Sequence, residues 1–269
     1  MQKTDALQCM RKRLLLSLAA CLPVGCGVVV VHPDAWVPLS QNWASENVRV
    51  HQGYASGSQP GDDSMNYFFD TTALYLSSSP HVLKIVASNH AVLLSGTSHM
   101  GDGDAYDGKV FGVIEHWTGC QNSSAPIFIV IFDGQTLQVT KTVDITGDLP
   151  EASGIAIDPD TSEAILTSFC DSHNLYVYRM SDWTLTRTIP LSIPVPGIQG
   201  AAYRQGFLYI GDAMGNLYRY NFARGSMQFY FRASMKGEYE GLDFHNSELR
   251  WLLNGPGDSH ILLSYSPVQ

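Results

Sequence analysis

Charge is scarce in this sequence: Asp, Glu, Lys and Arg together make up 15% of its 269 residues. Positive charge is scarcest, with 16 Lys and Arg against 25 Asp and Glu, and beyond Arg13 the basic residues never cluster. Removing Lys3, Arg11, Lys12, Arg13 and the single acid Asp5 with residues 1–25 turns a net charge of −9 into −12. Phosphate backbones are bound by basic patches, so nucleic acid is excluded as a partner. A complete catalytic motif is also missing. "DGDAYDG" (Asp102–Gly108) has the composition of a calcium loop, but Asp107 falls one position late and no Glu follows at the required distance. "GTSHMG" (Gly96–Gly101) is off by one residue from a serine elbow and lacks the strand-to-helix context. The His residues beside carboxylates in "EHW" (Glu115–Trp117) and "CDSH" (Cys170–His173) read as solvated loop residues.

What is present begins at the N-terminus. "MRKR" (Met10–Arg13) leads into "LLLSLAACLPVGCG", a basic segment followed by an apolar one and small residues before a cysteine. This resembles a bacterial lipoprotein signal and predicts a signal peptide over residues 1–26. Cys21 has the better local match, whereas Cys26 allows the longer apolar run and is the preferred lipidated residue. An uncleaved anchor over Leu14–Val31 is the alternative. Either way the body is extracytoplasmic, in the periplasm or cell envelope, and meets the membrane only through its anchor. Of five cysteines, Cys9 and Cys21 leave with the signal and Cys26 carries lipid. Cys120 and Cys170 remain, an even pair in an oxidising compartment, expected to form a disulfide between neighbouring repeats.

The repeat is the strongest signal. "IQGAAYRQGFLYIGD" (Ile198–Asp212) has counterparts in "HQGYAS", "GDGDAYDGKVFGVIEHW", "EASGIAIDPDTSEAILTSF" and "YEGLDFHNSELRWLLN". Aligned on Gly53, Gly103, Gly154, Gly200 and Gly241, the intervals are 50, 51, 46 and 41 residues. Short aromatic and β-branched runs between Gly and Asn punctuation are strands joined by hairpins. A period of about 40–50 residues with several strands per unit predicts an all-β propeller. The expectation is five blades of four antiparallel strands over residues 48–269, with six as the alternative because 53–90 is least regular. The last unit shows three strands. Its fourth is expected from residues 27–47, around Val28–Pro38, or from Val48–Val50, leaving no open sheet edge. The aromatic residues of the fourth repeat, Tyr203 to Phe231, are expected mostly in the core between blades.

The patterns "GIAIDPDTSEAILTS" and "IVIFDGQTLQVTKTVDI" resemble blades of secreted bacterial propellers in the broad group of gluconolactonase-like and glutaminyl-cyclotransferase-like proteins. "HQG" (His51–Gly53) and "YEGLDF" are slightly closer to the cyclotransferases. The resemblance covers most of residues 50–265 and implies the fold. It does not place either family's full set of functional residues on this chain.

In a propeller the starts of the inner strands line one mouth of the axial channel. The residues beside the anchor glycines give a polar ring there: His51 and Gln52, His99 with Asp102 and Asp104, Glu151 and Ser153, Gln199, and Glu238 with Glu240. Alternation along a strand puts Glu238 and Glu240 on one side. Gathered carboxylates raise one another's pKa or recruit a cation, and calcium suits such a ring. The expected function is a monomeric, lipid-anchored module binding a small ligand or a protein. The alternative is an enzyme using the axial carboxylates, either cyclotransferase-like or a metal-dependent lactonase-like hydrolase.

Overall fold

A computed structural model describes residues 29–38, 51–57, 65–78, 85–120, 125–255 and 259–266. The proposed signal, Cys26 and the Val48–Val50 alternative lie outside the described residues. The chain forms five antiparallel four-stranded blades, one per repeat, and a short additional strand joins the edge of one of them. Blade 1 contains β3 (Gly53–Ser56), β4 (Asn66–Asp70), β5 (Ala73–Ser77) and β6 (Ile85–Asn89). Blade 2 follows with β7 (His99–Tyr106), β8 (Lys109–Glu115), β9 (Ile127–Asp133) and β10 (Val139–Asp144). Blade 3 is β11 (Gly154–Asp158), β12 (Glu163–Thr167), β13 (Asn174–Arg179) and β14 (Thr184–Pro190). Blade 4 is β15 (Ile198–Arg204), β16 (Phe207–Asp212), β17 (Asn216–Asn221) and β18 (Ser226–Ala233). In blade 5, β19 (Glu238–His245), β20 (Glu248–Gly255) and β21 (Ser259–Tyr265) are completed by β2 (Ala35–Pro38) from the N-terminal segment. The irregular stretch 53–90 is thus an ordinary blade, and the count is five.

Closure works as the edge argument requires. β2 pairs antiparallel with β21, so the first described residues seal the last blade. Just before it, β1 (Val30–Val31) pairs in parallel with β18, tying the same segment to blade 4 as well.

Sequence explains the grading of strands within a blade. The inner strand β11, "GIAID", is buried throughout, while the outer β14, "TLTRTIP", is mostly exposed and carries Thr and Arg. Strands covered on both faces read as continuous apolar runs, and outer strands alternate. Two hairpins use the primed turn that fits strand twist. Asp107–Gly108 and Gln205–Gly206 all have positive φ, joining β7 to β8 and β15 to β16.

The apolar core is five wedges, one between each pair of neighbouring blades. The wedge that closes the ring, between blades 5 and 1, is the smallest and is supplemented by a buried polar cluster. There Arg250 donates to the Tyr54 hydroxyl at 2.9 Å and to Asn66 at 3.4 Å, and Tyr54 donates to Asn66 Oδ1 at 2.8 Å. The aromatic residues of blade 4 serve mostly as wedge core, as expected: Tyr220 and Phe231 are buried, and Tyr203, Tyr209, Tyr218, Phe222 and Tyr230 pack half-buried against the clusters on either side. Tyr218 packs edge-on against Phe229, and the Arg219 guanidinium lies over the rings of both Phe207 and Tyr230.

Candidate functional site

The inner strands β3, β7, β11, β15 and β19 meet at the axis, and what they do there corrects the sequence alignment. Gly241 N donates to Gln52 O at 3.3 Å, and Asp102 N donates to Ser153 O at 2.8 Å in the same manner. Asp102, and not Gly103, is therefore the blade-2 counterpart of Gly53, Gly154, Gly200 and Gly241. A bulge in β7 between Met100 and Gly103 displaces the glycine by one residue. The glycines are small because Asp102 is there: a Cβ on Gly241 would lie 1.9 Å from its Oδ1, and one on Gly53 2.1 Å. Asp102 is fully buried and accepts hydrogen bonds from Tyr54 N and Leu242 N. Burial raises its pKa well above the carboxylate range despite these donors. It plugs the channel and divides it into two mouths.

At the starts of the inner strands the mouth is a funnel of about 210 Å³, built from all five blades. Seven of the ten residues expected at the ring line it: Gln52, His99, Glu151, Ser153, Gln199, Glu238 and Glu240. The other three lie elsewhere. Asp102 is the plug, and the His51 ring packs edge-on against His260 at 4.5 Å, with its Nδ1 3.4 Å from Asp70. Asp104 falls at the opposite mouth.

Three glutamates face the funnel and no Lys or Arg lines it. Glu240 is 3% exposed. Its Oε1 accepts from Asn254 Nδ2 at 3.0 Å, while Oε2 is buried and has no hydrogen-bond partner among the described residues. Burial, then repulsion from Glu238, drive its pKa well up against the Asn254 hydrogen bond. Asn254 is fixed in turn, its Oδ1 lying 2.8 Å from His260 Nδ1. Glu151 is 4% exposed, and its Oε2 collects donors from Ser168 Oγ, Phe169 N and Cys170 N. Burial, then the nearby Glu115 carboxylate, push Glu151 up to about 8. Gln199 Nε2 reaches Glu238 Oε1 at 3.4 Å, leaving its own carbonyl oxygen to the funnel.

Aromatic walls complete the site. Trp117 and Phe169 meet edge to face at 5.9 Å. They stand on the loops that follow β8 and β12, and the Cys120–Cys170 disulfide joins those loops. The predicted disulfide is thus the brace of the funnel rim. Glu115, Trp117, Phe169 and Asn254 were not among the predicted residues. They belong to second strands and loops, away from the anchor glycines, and only the repeat position of the cysteines marked that region. Among the described residues, no group of three or more His, Cys, Asp or Glu is placed to hold a metal ion.

The opposite mouth, a cavity of about 290 Å³ at the ends of the inner strands, holds Asp104 and Asp243. There every carboxylate oxygen has a main-chain donor. Asp104 accepts from Ala105 N and Ile157 N, and Asp243 from Phe244 N and Ser56 N. Burial raises Asp104 to about 6; burial, then Asp104 itself, raise Asp243 well above the usual range.

No protein-family model matches the chain, and no curated protein matches its sequence. Solved structures do resemble it. The glutaminyl cyclase of Myxococcus xanthus superimposes with a TM-score of 0.62 at 10% identity, covering 89% of this chain and 100% of that one. A luciferin-regenerating enzyme follows at TM-score 0.54 and 10% identity, covering 81% and 78%. A protein of unknown function from Bacteroides caccae gives 0.52 at 11% identity, covering 77% and 72%. At such identities the likeness is one of fold: the chain is a five-bladed propeller of the architecture found in glutaminyl cyclase.

Proposed function

We propose that the funnel binds a small ligand carrying a cationic amine, and that the chain works as an extracytoplasmic binding module held to the envelope by lipid on Cys26. The observation that carries this reading is the unpartnered Glu240 Oε2 in a site with three glutamates and no basic residue. A buried acceptor without a donor costs about 1–3 kcal/mol, which a ligand N–H would recover. Trp117 and Phe169 suit the apolar part of such a ligand, and the Trp face suits the cation. The funnel's size limits the occupant to a small molecule or the first residue of a peptide.

A second reading is cyclisation of an N-terminal glutamine, favoured by the raised pKa of Glu151 and by the fold shared with glutaminyl cyclase. The α-amine nitrogen would attack the side-chain amide carbon, and ammonia would leave. Glu151 or Glu240 would relay the proton from the amine to the leaving nitrogen, with Gln52 or Gln199 holding the amide.

One experiment separates these. Purified protein is titrated calorimetrically with the dipeptide Gln-Ala, its N-acetylated form, glucose and calcium, and ammonia release is followed in parallel. Binding of Gln-Ala but not of the acetylated form supports the amine site. Ammonia release adds the cyclase reading. Binding of glucose or calcium alone would overturn both, and calcium alone would favour a metal-dependent hydrolase.

A further inference from the structure

His99 stands between two groups that make opposite demands on its ring. Its Nε2 lies 2.8 Å from Gln52 Oε1, and its Nδ1 lies 3.6 Å from Glu115 Oε1. With the Gln52 amide in this orientation its oxygen accepts, and Nε2 carries the hydrogen. His99 Nδ1 and Glu115 Oε1 are both buried and have no other hydrogen-bond partner among the described residues. The second Glu115 oxygen is committed to Ala152 N at 3.3 Å. A neutral imidazole has one N–H, and it is already used. Nδ1 and Glu115 Oε1 would then face each other with two lone pairs, a repulsion that one further proton between them would remove.

Without that proton, a different arrangement satisfies the same three residues. The single imidazole N–H moves to Nδ1 and points at the Glu115 carboxylate. Nε2 becomes an acceptor, and the Gln52 amide turns over to donate to it, a rotation about a terminal torsion that is broad and nearly two-fold. In the observed arrangement Gln52 offers N–H to the funnel; in the other it offers C=O.

We propose that Glu115 and His99 are positioning residues whose shared proton sets the polarity of the Gln52 wall, so that the funnel selects a ligand with an acceptor when the proton is present and one with a donor when it is absent. The proposal rests on the funnel being a ligand site. The charged groups around the pair are Glu115 on β8, Glu151 ahead of β11, Glu238 and Glu240 at the start of β19, and His51 with Asp70 on blade 1 beside Gln52. No Lys or Arg lines the funnel, so no fixed cation opposes a change at the pair.

The test begins without ligand. Ring ¹⁵N resonances of His99, assigned with His99→Asn, and the side-chain amide resonances of Gln52, assigned with Gln52→Leu, are followed across pH in uniformly labelled protein. The expected result is that both titrate with one midpoint, and that His99 passes from an Nε2–H form at low pH to an Nδ1–H form at high pH. Gln52 resonances that stay still while His99 titrates would overturn the proposal, as would a single His99 tautomer at every pH. Glu115→Gln, whose amide donates to Nδ1, should hold His99 in the Nε2–H form throughout.

Binding supplies the second arm. The preference for β-alanine methyl ester over pentylamine should fall about tenfold across the midpoint, the worth of one matched hydrogen bond. A constant preference would count against the switch. If neither amine binds, the ligand reading has failed, while the coupled titration still judges the proton pair.

Discussion

The two mouths of the channel hold the same chemistry to different ends. Each contains buried carboxylates with raised pKa, and Asp102 separates them. At the far mouth, all four oxygens of Asp104 and Asp243 receive main-chain N–H groups, two of them from the next blade. Those acids fasten the inner strands to one another. At the funnel, Glu240 keeps an oxygen with no donor among the described residues, and Glu151 commits one oxygen to a loop that also carries an aromatic wall. A buried acid alone therefore says little about function. The partners decide: where the backbone satisfies every oxygen the acid is structural, and where one is left over there is room for a ligand.

The comparison can be broken in graded steps of stability. The funnel rim is braced covalently and the far mouth is not. Reducing or replacing both Cys120 and Cys170 with Ser opens a link across 50 residues, and should cost up to about 4 kcal/mol. Calorimetric melting would show it, together with a change in Trp117 fluorescence. Next, Gly53→Ala places a methyl against Asp102 and should cost about 3 kcal/mol by overpacking. The double variant Asp102→Gly/Gly53→Ala should recover more than half of that loss. Equal melting of the single and double variants would show that the plug does not set the glycine requirement.

Asp243→Ala removes the acceptor for Ser56 N and should cost about 2 kcal/mol, leaving amine binding at the funnel unaltered. Loss of binding in that variant would erase the distinction between the mouths. Asp104 gives a pH signature. Its folded pKa, about 6, lies above the ordinary value of 3.8, so the folded state holds the proton more tightly. Its contribution is fully present below pH 3.8 and is lost as pH rises towards 6. Asp104→Asn should flatten the fall in stability over that window, measured by denaturant titration at several pH values.

Much of the fold was legible because each blade repeats the same punctuation, and the five-blade count, the closure from the N-terminal segment and the disulfide all rest on it. Cys120 and Cys170 fall at similar points of successive repeats, each in the loop after a second strand, which is why the pairing was readable. The plug was not. In "MGDGDAY" a glycine stands one residue after Asp102, and nothing local reveals the bulge that shifts it. The funnel residues beside the anchor glycines were legible by position. Glu115, Trp117, Phe169 and Asn254 were hidden because they reach the site from second strands and loops, through contacts that only blade packing creates. Which acids would be satisfied by main-chain donors was equally invisible, since those donors come from neighbouring blades.

Glu240→Gln has the smallest expected effect on stability, under about 0.5 kcal/mol, and the most direct bearing on the central claim. Gln keeps the shape of the acid and the hydrogen bond from Asn254. A calorimetric titration with Gln-Ala at pH 7 should show binding to the wild type and a loss of at least tenfold for Glu240→Gln, with melting temperatures that coincide. Equal affinity in the two proteins would mean that the unpaired Glu240 oxygen does not meet the ligand, and the funnel would lose its claim over the far mouth.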